Sequence, residues 1–394
     1  MCAYRSHVFA STCRFLRNVG LVVLLVIGAV VLAACSCGPK RGALKPVVAV
    51  TPADGTRDVR PSDPVSVQVD NGKLTSIDVT TSDGARVPGT LKDGRFTPER
   101  GGFSVKATYH VTVKIVDGNG HESTRSTYFN TLTPHRVNKI EVLPGNNITV
   151  GIGQPISLAF DSPVKDKAAV ERRLKVITSN NTEGSWGWVT EPITGRERAD
   201  WRPKEYWIPG TKVTLDADLN GIDTGNSRYL VRSYFATFTI GPSHIAKIDL
   251  NAHTLTLVRD GKKVKTIPVS GGDVSHRTWS GKMTLMSKEG TIRMNSQTVG
   301  LGNDYDLKVH RSMRMTVSGT YAHQAEWAEA AIGIANTSHG CLGMTTKDAA
   351  WFYEQAQVGD VFEVNNGKGT VAPGNGFGEW NLPWKDWQRK SALR

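Results

Sequence analysis

Short segments of alternating apolar and polar residues recur along the chain, and they constrain its fold more than any other feature. Val65–Val69 and Tyr109–Ile115 alternate with a period of two, as strands do when successive side chains face opposite sides of a sheet. Asp117–Gly120 joins the second segment to Ser126–Phe129, which predicts a tight hairpin. We therefore expect a mainly β protein built from antiparallel sheets.

The strand pattern of residues 47–134 recurs in residues 135–241. In both segments, short strands follow one another at nearly regular spacing, which is typical of antiparallel sandwiches. Each segment ends with an aromatic Phe-x-Thr strand, at Phe129–Thr131 and Phe235–Thr237, and a proline turn follows. We predict two immunoglobulin-like β-sandwich domains over these ranges, and neither contains a group of residues suited to catalysis.

Four tryptophans concentrate in the second predicted sandwich, namely Trp186, Trp188, Trp201 and Trp207. Aromatic side chains bury large apolar areas, so we expect these residues in the core of the sandwich. An aromatic platform that binds a glycan is the alternative interpretation.

Residues 244–366 form a third predicted domain with a different pattern. We expect strands at Ile245–Leu250, His253–Val258, Val264–Val269, Met283–Met286, Leu307–Val309 and Val361–Val364. One main helix is predicted from Lys347 to Gln357, with Thr345 or Thr346 as its N-cap. Its inward side chains would be Ala349, Ala350, Phe352 and Tyr353.

The C-terminal extension, residues 367–394, is rich in tryptophan. Trp380, Trp384 and Trp387 lie within eight positions, and side chains of this size seldom remain exposed together. We expect the extension to fold back onto the third domain or onto the domain before it.

The N-terminus has the pattern of an export signal. Basic residues precede an apolar run from Val19 to Leu32, which is short for a membrane-spanning helix of about 20 residues. The run ends in Leu32-Ala33-Ala34-Cys35, which resembles a bacterial lipobox. The resemblance implies a signal peptide at 1–35, cleavage before Cys35, lipid on its sulfur and a linker at 36–46. An uncleaved signal anchor is the alternative, and both place the domains on the cell-wall side of the membrane.

The charge of the chain bears on its partners. The net charge is +12, from 48 Lys and Arg against 36 Asp and Glu. Beyond the N-terminus, these basic residues are spread out, without the dense runs, zinc-finger spacings or RNP patterns of nucleic-acid-binding proteins. We expect no nucleic-acid partner. A solvated basic surface accounts for the charge, and a weak attraction to an anionic cell envelope fits equally well.

One of the five cysteines stands out. Export would remove Cys2 and Cys13, lipid would occupy Cys35, and Cys37 lies in the linker. Cys341 is then a lone thiol in an oxidising compartment, where free thiols are a liability. We expect a thiol that persists there to have a function.

The residues around Cys341 suit nucleophilic catalysis. Attack on a carbonyl needs an ionised thiol, a histidine that accepts its proton and main-chain donors for the oxyanion. His323 lies eighteen positions upstream, His339 lies two positions before the cysteine, and Gly340 lets substrate and backbone approach closely. A structural buried cysteine and a zinc site are the alternatives. The spacing matches no common zinc motif, so we expect no metal.

Ser338-His339-Gly340-Cys341, preceded by an upstream histidine, resembles the signature of the L,D-transpeptidase family. Other segments that resemble its catalytic domain are the strands between Ile248 and Ser270, Thr278–Thr284, Trp351–Tyr353 and Gly359-Asp360. The order of export signal, two immunoglobulin-like domains, catalytic domain and aromatic tail is similar to that of mycobacterial lipoprotein-type members. The resemblance is specific in residues 323–342 and vaguer in the first two domains.

The resemblance implies a defined reaction without a cofactor. Cys341 would attack the bond between meso-diaminopimelate and D-alanine in a peptidoglycan tetrapeptide stem, release D-alanine and hold the stem as a thioester. The side-chain amine of a second stem would resolve the thioester and form a 3→3 cross-link. Carbapenems, a class of β-lactam, would acylate the same cysteine.

The resemblance also implies roles for the neighbouring residues. His323 would act as the base, oriented by the main-chain carbonyl of Gln324, and His339 would shape the pocket and assist. Trp327 would pack beneath the His323 loop. The residues that would contact substrate are Tyr305, Gln324, Trp327, Ser338 and Gly340.

Gly343 departs from the family pattern, in which asparagine usually occupies this position. Glycine has no amide to offer to the substrate or to a loop, so the resemblance implies a lower rate here. Two other functions remain open from the sequence: an L,D-carboxypeptidase, in which water replaces the acceptor amine, and a weakly active or inactive lipoprotein that binds peptidoglycan.

Overall fold

A computed structural model of the chain describes residues 44–99, 102–300 and 302–394. The predicted signal peptide, Cys35 and most of the linker lie outside these residues. Within the described ranges, no helix has the length and apolar character needed to cross a bilayer. The described elements comprise 28 strands and three α-helices. The prediction of a mainly β protein is therefore confirmed.

The first sandwich pairs two four-stranded sheets, with strand orders β1-β3-β6-β5 and β2-β8-β7-β4. Its strands are β1 (Val47–Thr51), β2 (Thr56–Val59), β3 (Val65–Asp70), β4 (Gly72–Thr81), β5 (Gly89–Lys92), β6 (Arg95–Pro98), β7 (Thr108–Asp117) and β8 (Glu122–Thr131). The predicted hairpin joins β7 to β8. Phe103, Tyr109 and Phe129 pack ring against ring in the core, with centroids between 4.7 and 5.4 Å apart.

The second sandwich has sheets of order β10-β12-β15-β14 and β11-β18-β16-β13, and β9 pairs with β17. Its elements are β9 (Arg136–Val137), β10 (Ile140–Leu143), β11 (Ile148–Val150), β12 (Ile156–Phe160), α1 (Lys167–Glu171), β13 (Leu174–Thr178), β14 (Gly184–Thr190), β15 (Glu197–Pro203), β16 (Lys212–Ala217), β17 (Arg228–Tyr229) and β18 (Tyr234–Ile240). Trp186, Trp188, Trp201 and Trp207 are at most 8% exposed. They form the core, as predicted, and not a surface platform.

The third domain packs a six-stranded sheet, β21-β20-β19-β27-β22-β28, against a four-stranded sheet, β23-β24-β25-β26. Its elements are β19 (His244–Asp249), β20 (Thr254–Arg259), β21 (Lys262–Pro268), β22 (Trp279–Thr284), β23 (Ser287–Asn295), β24 (Asp306–Arg314), β25 (Tyr321–Gln324), β26 (Leu342–Met344), α2 (Thr346–Gln355), β27 (Val361–Asn365) and β28 (Lys368–Thr370). Short 3-10 helices occur at Ser296–Val299, Glu326–Ala328 and Glu379–Asn381.

The helix α2 corrects the predicted boundaries. It begins at Thr346 and ends at Gln355, whereas we expect Lys347 to Gln357 from the sequence. The Thr345 hydroxyl caps it by accepting the Asp348 N–H, which satisfies one of the free donors of the first turn. Its last turn ends early because residue 356 is already extended. Of the predicted inward residues, Ala349 and Phe352 are buried, whereas Ala350 and Tyr353 are only partly buried.

Strands β22 and β23 also differ from the sequence expectation. The predicted strand Met283–Met286 is in fact the end of β22, which begins at Trp279 and stops at Thr284. The long strand Ser287–Asn295 is not predicted, because no residue along it is fully buried and its polar composition hides the alternation.

The C-terminal extension folds back on the second sandwich, as predicted. Its helix α3 (Trp384–Gln388) lies against β14. The Trp380 indole N–H donates to the Gly153 carbonyl, and the Trp387 indole N–H donates to the Ser185 carbonyl, both at 2.9 Å.

The extension contacts the third domain as well. Asn381 accepts the Lys282 main-chain N–H at 2.7 Å and donates to its carbonyl at 2.8 Å. On the side of the second sandwich, the Arg202 guanidinium lies 5.0 to 5.4 Å from the ring centroids of three tryptophans. These cation–π contacts and hydrogen bonds tie the two domains together through the tail.

The parallel pairing of β25 and β26 brings the candidate catalytic residues together. His323 of β25 lies opposite Gly343 of β26. A parallel pair needs a crossover connection, and residues 325–341 supply it. Since Leu342 lies opposite Ala322, Cys341 emerges from this loop at the end of the sheet where Tyr321 lies.

Candidate active site

A groove of about 480 Å³ opens on the third domain beside the β25–β26 crossover. Tyr305, His323, Trp327, His339 and Cys341 all line it. The rest of its wall is mostly apolar and includes Met294, Leu307, Val309, Ala325, Ala328, Ala330 and Ala331. An apolar cleft with a few convergent polar groups is the usual form of a ligand site. A larger cleft of about 710 Å³ between the two sandwiches has neither cysteine nor histidine in its wall.

The loop that carries Cys341 is held by Ser338. The Ser338 hydroxyl donates to the Cys341 carbonyl at 2.7 Å and accepts the Gly340 N–H at 3.1 Å. Gly340 has a φ of +117°, a conformation in which a side chain would be strained. Serine and glycine thus shape the turn that presents the cysteine.

The thiol of Cys341 is neutral in this geometry. Its sulfur donates to the Gly319 carbonyl, 3.6 Å away. Although part of the residue remains accessible, burial raises the pKa of the thiol to about 11, and the Tyr321 main-chain N–H opposes this shift only in part. A resting thiolate is therefore not expected at neutral pH.

His323 is oriented as a proton acceptor. Its Nδ1 donates to the Gln324 carbonyl at 2.7 Å, so neutral His323 keeps its lone pair on Nε2. Its ring stacks on Trp327, with centroids 5.8 Å apart and planes inclined by 24°. Burial lowers the pKa of His323, opposed by the Gln324 carbonyl and by the charge of Glu326. Among the hydrogen bonds of the described residues, none joins this imidazole to Sγ of Cys341.

A second group of side chains, which we call the rim cluster, surrounds His339. It comprises Asp273, His276, Asp304, Tyr305 and His339. The His339 ring lies 5.0 Å from the Tyr305 ring and 4.8 Å from the His276 ring, measured between centroids. Nε2 of His339 is 3.9 Å from the Asp304 carboxylate, and Nδ1 of His276 is 3.1 Å from Oδ1 of Asp273. Burial, with the nearby charge of Asp304, raises the pKa of Tyr305.

Main-chain hydrogen bonds connect the loop of His276, residues 270–278, to the cysteine loop. Ser338 donates its N–H to the Gly271 carbonyl at 3.0 Å and accepts the Asp273 N–H at 2.8 Å. Ser270 and Gly343 exchange both of their main-chain hydrogen bonds, at 2.9 and 2.8 Å. The positions of Asp273 and His276 are thus fixed relative to Cys341.

Across 44–99, 102–300 and 302–394, no three His, Cys, Asp or Glu side chains are grouped as they would be around a metal ion. His323, His339 and Cys341 share the groove without forming such a group. What the groove offers is one thiol, two separate imidazoles and a phenol, a set suited to nucleophilic and general acid–base chemistry.

Comparison with known proteins assigns the third domain. Residues 243–364 match the L,D-transpeptidase catalytic domain, YkuD. Residues 56–223 match a bacterial Ig domain, Big_10. The chain is 33% identical to L,D-transpeptidase 2 of Mycobacterium tuberculosis (strain CDC 1551 / Oshkosh), over 93% of its own length and 94% of that protein. The chain belongs to the L,D-transpeptidase family. The resemblance found from the sequence is thereby confirmed, and the third domain is an L,D-transpeptidase catalytic domain.

The chain is also similar to two further L,D-transpeptidases. L,D-transpeptidase 5 of Mycobacterium tuberculosis (strain H37Rv) is 29% identical over 92% of this chain and 82% of its own. The solved structure of L,D-transpeptidase LdtMt1 in complex with imipenem is 34% identical and covers 59% of this chain and 100% of its own, with a TM-score of 0.49.

The sequence identified Cys341, both histidines and the groove residues Tyr305 and Trp327. It also anticipated the contact between His323 and the Gln324 carbonyl. The side chain of Gln324, by contrast, is held between Arg311, which donates to it, and Glu326, which accepts from it at 2.6 Å.

Three features of the site were not anticipated from the sequence. They are the Gly319 carbonyl at the sulfur, the Glu326 carboxylate near His323 and the His276–Asp273 pair. No local sequence signal marks His276.

Gly343, where the family usually has asparagine, lines the groove between two strands. A Cβ atom at this position would meet the Cβ of Ala325 at 3.1 Å and the Ser270 carbonyl at 3.7 Å. The first contact is tighter than ordinary packing, so a larger residue would displace Ala325 slightly. Glycine at 343 therefore fits the alanine at 325 and leaves the floor of the groove free of an amide.

Proposed function

We propose that this L,D-transpeptidase acts through Cys341 as its acyl-accepting nucleophile, with His323 as the base. Cys341 attacks the carbonyl between meso-diaminopimelate and D-alanine of a tetrapeptide stem. D-alanine leaves with a proton, and the stem remains as a thioester. The side-chain amine of a second stem then displaces the sulfur, which yields a 3→3 cross-link in peptidoglycan.

One observation carries this proposal: Cys341, directly before β26, and His323, on the parallel neighbour β25, line one groove, with Nε2 of the imidazole unprotonated. The carbonyl that binds Nδ1 fixes the tautomer that a general base needs. Tyr305, Trp327, Ser338, His339 and Gly340 would hold the stem around these two groups.

The resting contact of the thiol with Gly319 means that Sγ must turn towards His323 for proton transfer. Such a turn is a rotation about one side-chain bond of Cys341, and rotations of this kind take place rapidly in folded proteins. We infer that entry of the donor stem replaces the Gly319 contact and that the proton moves to His323 as Sγ approaches the carbonyl carbon.

We also propose that the chain is a lipoprotein on the outer face of the cytoplasmic membrane, anchored through Cys35. The export pattern of residues 1–35 supports this location. The sandwiches over 47–134 and 135–241, followed by the domain over 244–366 and the tail over 367–394, would then extend from the anchor towards the cell wall.

A carbapenem tests the nucleophile, because it acylates a transpeptidase cysteine without needing an acceptor. We expect intact-mass measurement to detect one covalent adduct on the wild-type protein and none on Cys341→Ala. The wild-type protein and Cys341→Ala should unfold at similar temperatures. An adduct that survives in Cys341→Ala would refute the assignment of the nucleophile.

Muropeptides test the second half of the reaction. Incubation with a purified tetrapeptide monomer should give the 3→3 dimer and free D-alanine. A tripeptide product without dimer would identify an L,D-carboxypeptidase instead. Absence of both products and of the adduct, with Cys341 still open to a small thiol reagent, would indicate a peptidoglycan-binding lipoprotein.

A further inference from the structure

Two groups of rings line different parts of the groove. His323 stacks on Trp327, and His339 lies between Tyr305 and His276. No ring contact of the described residues joins one group to the other. The proposed mechanism uses His323 for the thiol, gives Tyr305 and His339 no task beyond holding the stem, and gives the rest of the rim cluster none.

The rim cluster differs from the His323 pair in exposure and charge. The His323 imidazole is buried, whereas the side chains of His276, His339 and Asp304 are 29%, 34% and 51% exposed. In the part of the chain that the structure describes, Asp273 and Asp304 form ion pairs with histidines alone. The nearby Arg277 donates to the Asn366 carbonyl, and Arg293 pairs with Asp306. The cluster is therefore an anionic region on a basic protein.

Asp273 fixes both the position and the tautomer of His276. Its Oδ1 accepts the main-chain N–H groups of Ser275 and His276, at 2.8 and 2.7 Å, and faces Nδ1 of the His276 ring. These hydrogen bonds outweigh burial and lower the pKa of Asp273, so its carboxylate stays ionised. A carboxylate on Nδ1 leaves the lone pair of neutral His276 on Nε2.

We propose that the rim cluster receives the ammonium group of the acceptor stem, that His339 takes its proton, and that the Asp273–His276 pair positions His339 for this step. The inference rests on the proposed function. Two carboxylates beside two imidazoles attract a cation, and an amine must lose a proton before it can attack. The donor stem needs neither the attraction of a cation nor the deprotonation of an amine, because the buried His323 acts on the thiol.

Acyl transfer removes two protons from the acceptor nitrogen. The acceptor ammonium gives one proton to Nε2 of His339, and the resulting neutral amine attacks the thioester carbonyl carbon. The new C–N bond forms as the C–S bond breaks, and the electron pair of the C–S bond returns to Sγ. The second proton lost by nitrogen ends on Sγ and restores the thiol, while the proton on His339 passes to solvent.

The ratio of cross-linked dimer to hydrolysed tripeptide distinguishes this role of the rim cluster from a purely structural one. A water acceptor carries no charge, so loss of the cluster should reduce dimer formation and spare tripeptide formation. We expect Asp273→Asn and His276→Gln to lower the dimer-to-tripeptide ratio about three- to tenfold from a tetrapeptide monomer. Asn at 273 retains the oxygen that accepts the Ser275 and His276 N–H groups, so the loop should keep its shape.

Two controls match these variants. His310→Asn removes a histidine that contacts only Thr291 among the hydrogen bonds of described residues, and Asp306→Asn removes a carboxylate that is paired with Arg293. Both should leave the product ratio unchanged. Carbapenem acylation of the Asp273 and His276 variants should stay within about twofold of wild type, because acylation needs no amine.

The possible results separate the two proposals. An unchanged product ratio in both variants, or an equal loss of acylation, dimer and tripeptide, would overturn the role of the rim cluster. A ratio that rises would indicate that the cluster binds a carboxylate of the donor instead. Absence of acylation in the wild-type protein would refute the proposed function itself.

Discussion

At the scale of single residues, Cys341 and His323, the reacting pair that we propose, are both held neutral. Burial raises the pKa of the Cys341 thiol to about 11 and lowers the pKa of His323. A preformed thiolate–imidazolium pair would need the opposite shifts. The proton must therefore move during attack, which makes the base more important than in an enzyme that has an ionised resting thiol.

Replacement of His323 by alanine tests the base directly. We expect carbapenem acylation of Cys341 to slow by roughly 10²–10⁴-fold, as for other general bases. Stopped-flow or time-resolved mass measurement gives the rate, and His310→Ala provides a histidine control. A fall of less than about tenfold would move the role to His339.

The charge of Glu326 should set the acidic limb of the pH profile. Glu326 supports the protonated form of His323, so Glu326→Gln should lower the pKa of His323 further below 6.5. A base with a lower pKa is unprotonated at lower pH. The variant should therefore acylate faster than wild type below pH 6.5 and within about twofold of it at higher pH.

The measurement for Glu326→Gln is the carbapenem acylation rate as a function of pH. Glu329→Gln is the matched control, because the Glu329 carboxylate binds Thr346 instead. The role of Glu326 would be contradicted if the acidic limb of the rate profile moved to higher pH in Glu326→Gln, or if it moved equally in Glu329→Gln.

The site residues that the sequence singles out are marked by their positions in the chain. Ser338, His339, Gly340 and Cys341 are contiguous, and His323 precedes Cys341 by eighteen positions. Gly319, Glu326 and His276 belong to the same site through sheet pairing and loop packing. Contacts made through sheet pairing and loop packing leave no pattern in the local sequence, so only the structure shows them.

At the scale of elements, the site depends on two loops that lie against each other. Residues 270–278 and the cysteine loop approach so closely that glycine is required at 272. A Cβ atom there would lie 2.0 Å from the His276 carbonyl oxygen and 2.9 Å from the Gly340 Cα. Both are main-chain atoms, so a side chain could be accommodated only if the 270–278 loop changed its own shape and also moved away from the cysteine loop.

Gly272→Ala should therefore disturb the site without touching a reacting group. We expect carbapenem acylation to fall by about tenfold or more and the thermal midpoint to drop, as for other substitutions that overpack a buried site. Gly369→Ala is the control, because a Cβ atom at 369 meets no atom within 4 Å. Equal acylation rates for the two variants would show that the loops can separate freely.

Strands with clear alternation were predictable, and strands without it were not. Val65–Val69 and Tyr109–Ile115 lie in β3 and β7, whose buried residues alternate with more exposed ones, and both were anticipated, whereas β23 has no fully buried residue and was missed. The observed ends of α2 differ from the predicted ends by one or two residues. The cap at Thr345 sets the start of the helix, and the extended residue 356 sets its end. The catalytic strands β25 and β26 are only four and three residues long, too short for a periodic signal.

At the scale of the whole molecule, a buried charged group joins the tail to the second sandwich. Glu379 is fully buried, and neither oxygen of its carboxylate has a hydrogen-bond partner among the described residues. Burial, with the nearby Asp200, raises the pKa of Glu379 to about 8, and Arg198 and Arg202 offset only part of this shift.

The pH dependence of stability should follow from this carboxyl group. Its folded-state pKa lies above its ordinary value of 4.5, so its contribution is complete below pH 4.5 and is lost as the pH rises to about 8. Glu379→Gln stays neutral throughout. At pH about 8, we expect a thermal midpoint about 2–4 °C above that of wild type, and a smaller difference at pH 4.5.

Differential scanning calorimetry across this pH range measures the effect. Glu354→Gln, at an exposed position on α2, should leave the midpoint unchanged. A midpoint difference that grows as the pH falls would contradict the assigned sign. The sequence could not predict this feature, because a glutamate in a polar tail is usually solvated.

The contact between the Cys341 thiol and the Gly319 carbonyl also affects how readily the thiol is oxidised. Peroxides and disulfides react with thiolates, and sulfenic acid formation follows thiolate character. A sulfur that keeps its proton until a peptide arrives is protected from such oxidants between turnovers. In the exported enzyme that we propose, which would lie beyond the reach of cytosolic reductants, this protection would keep Cys341, the one cysteine of the described residues, in its reduced form.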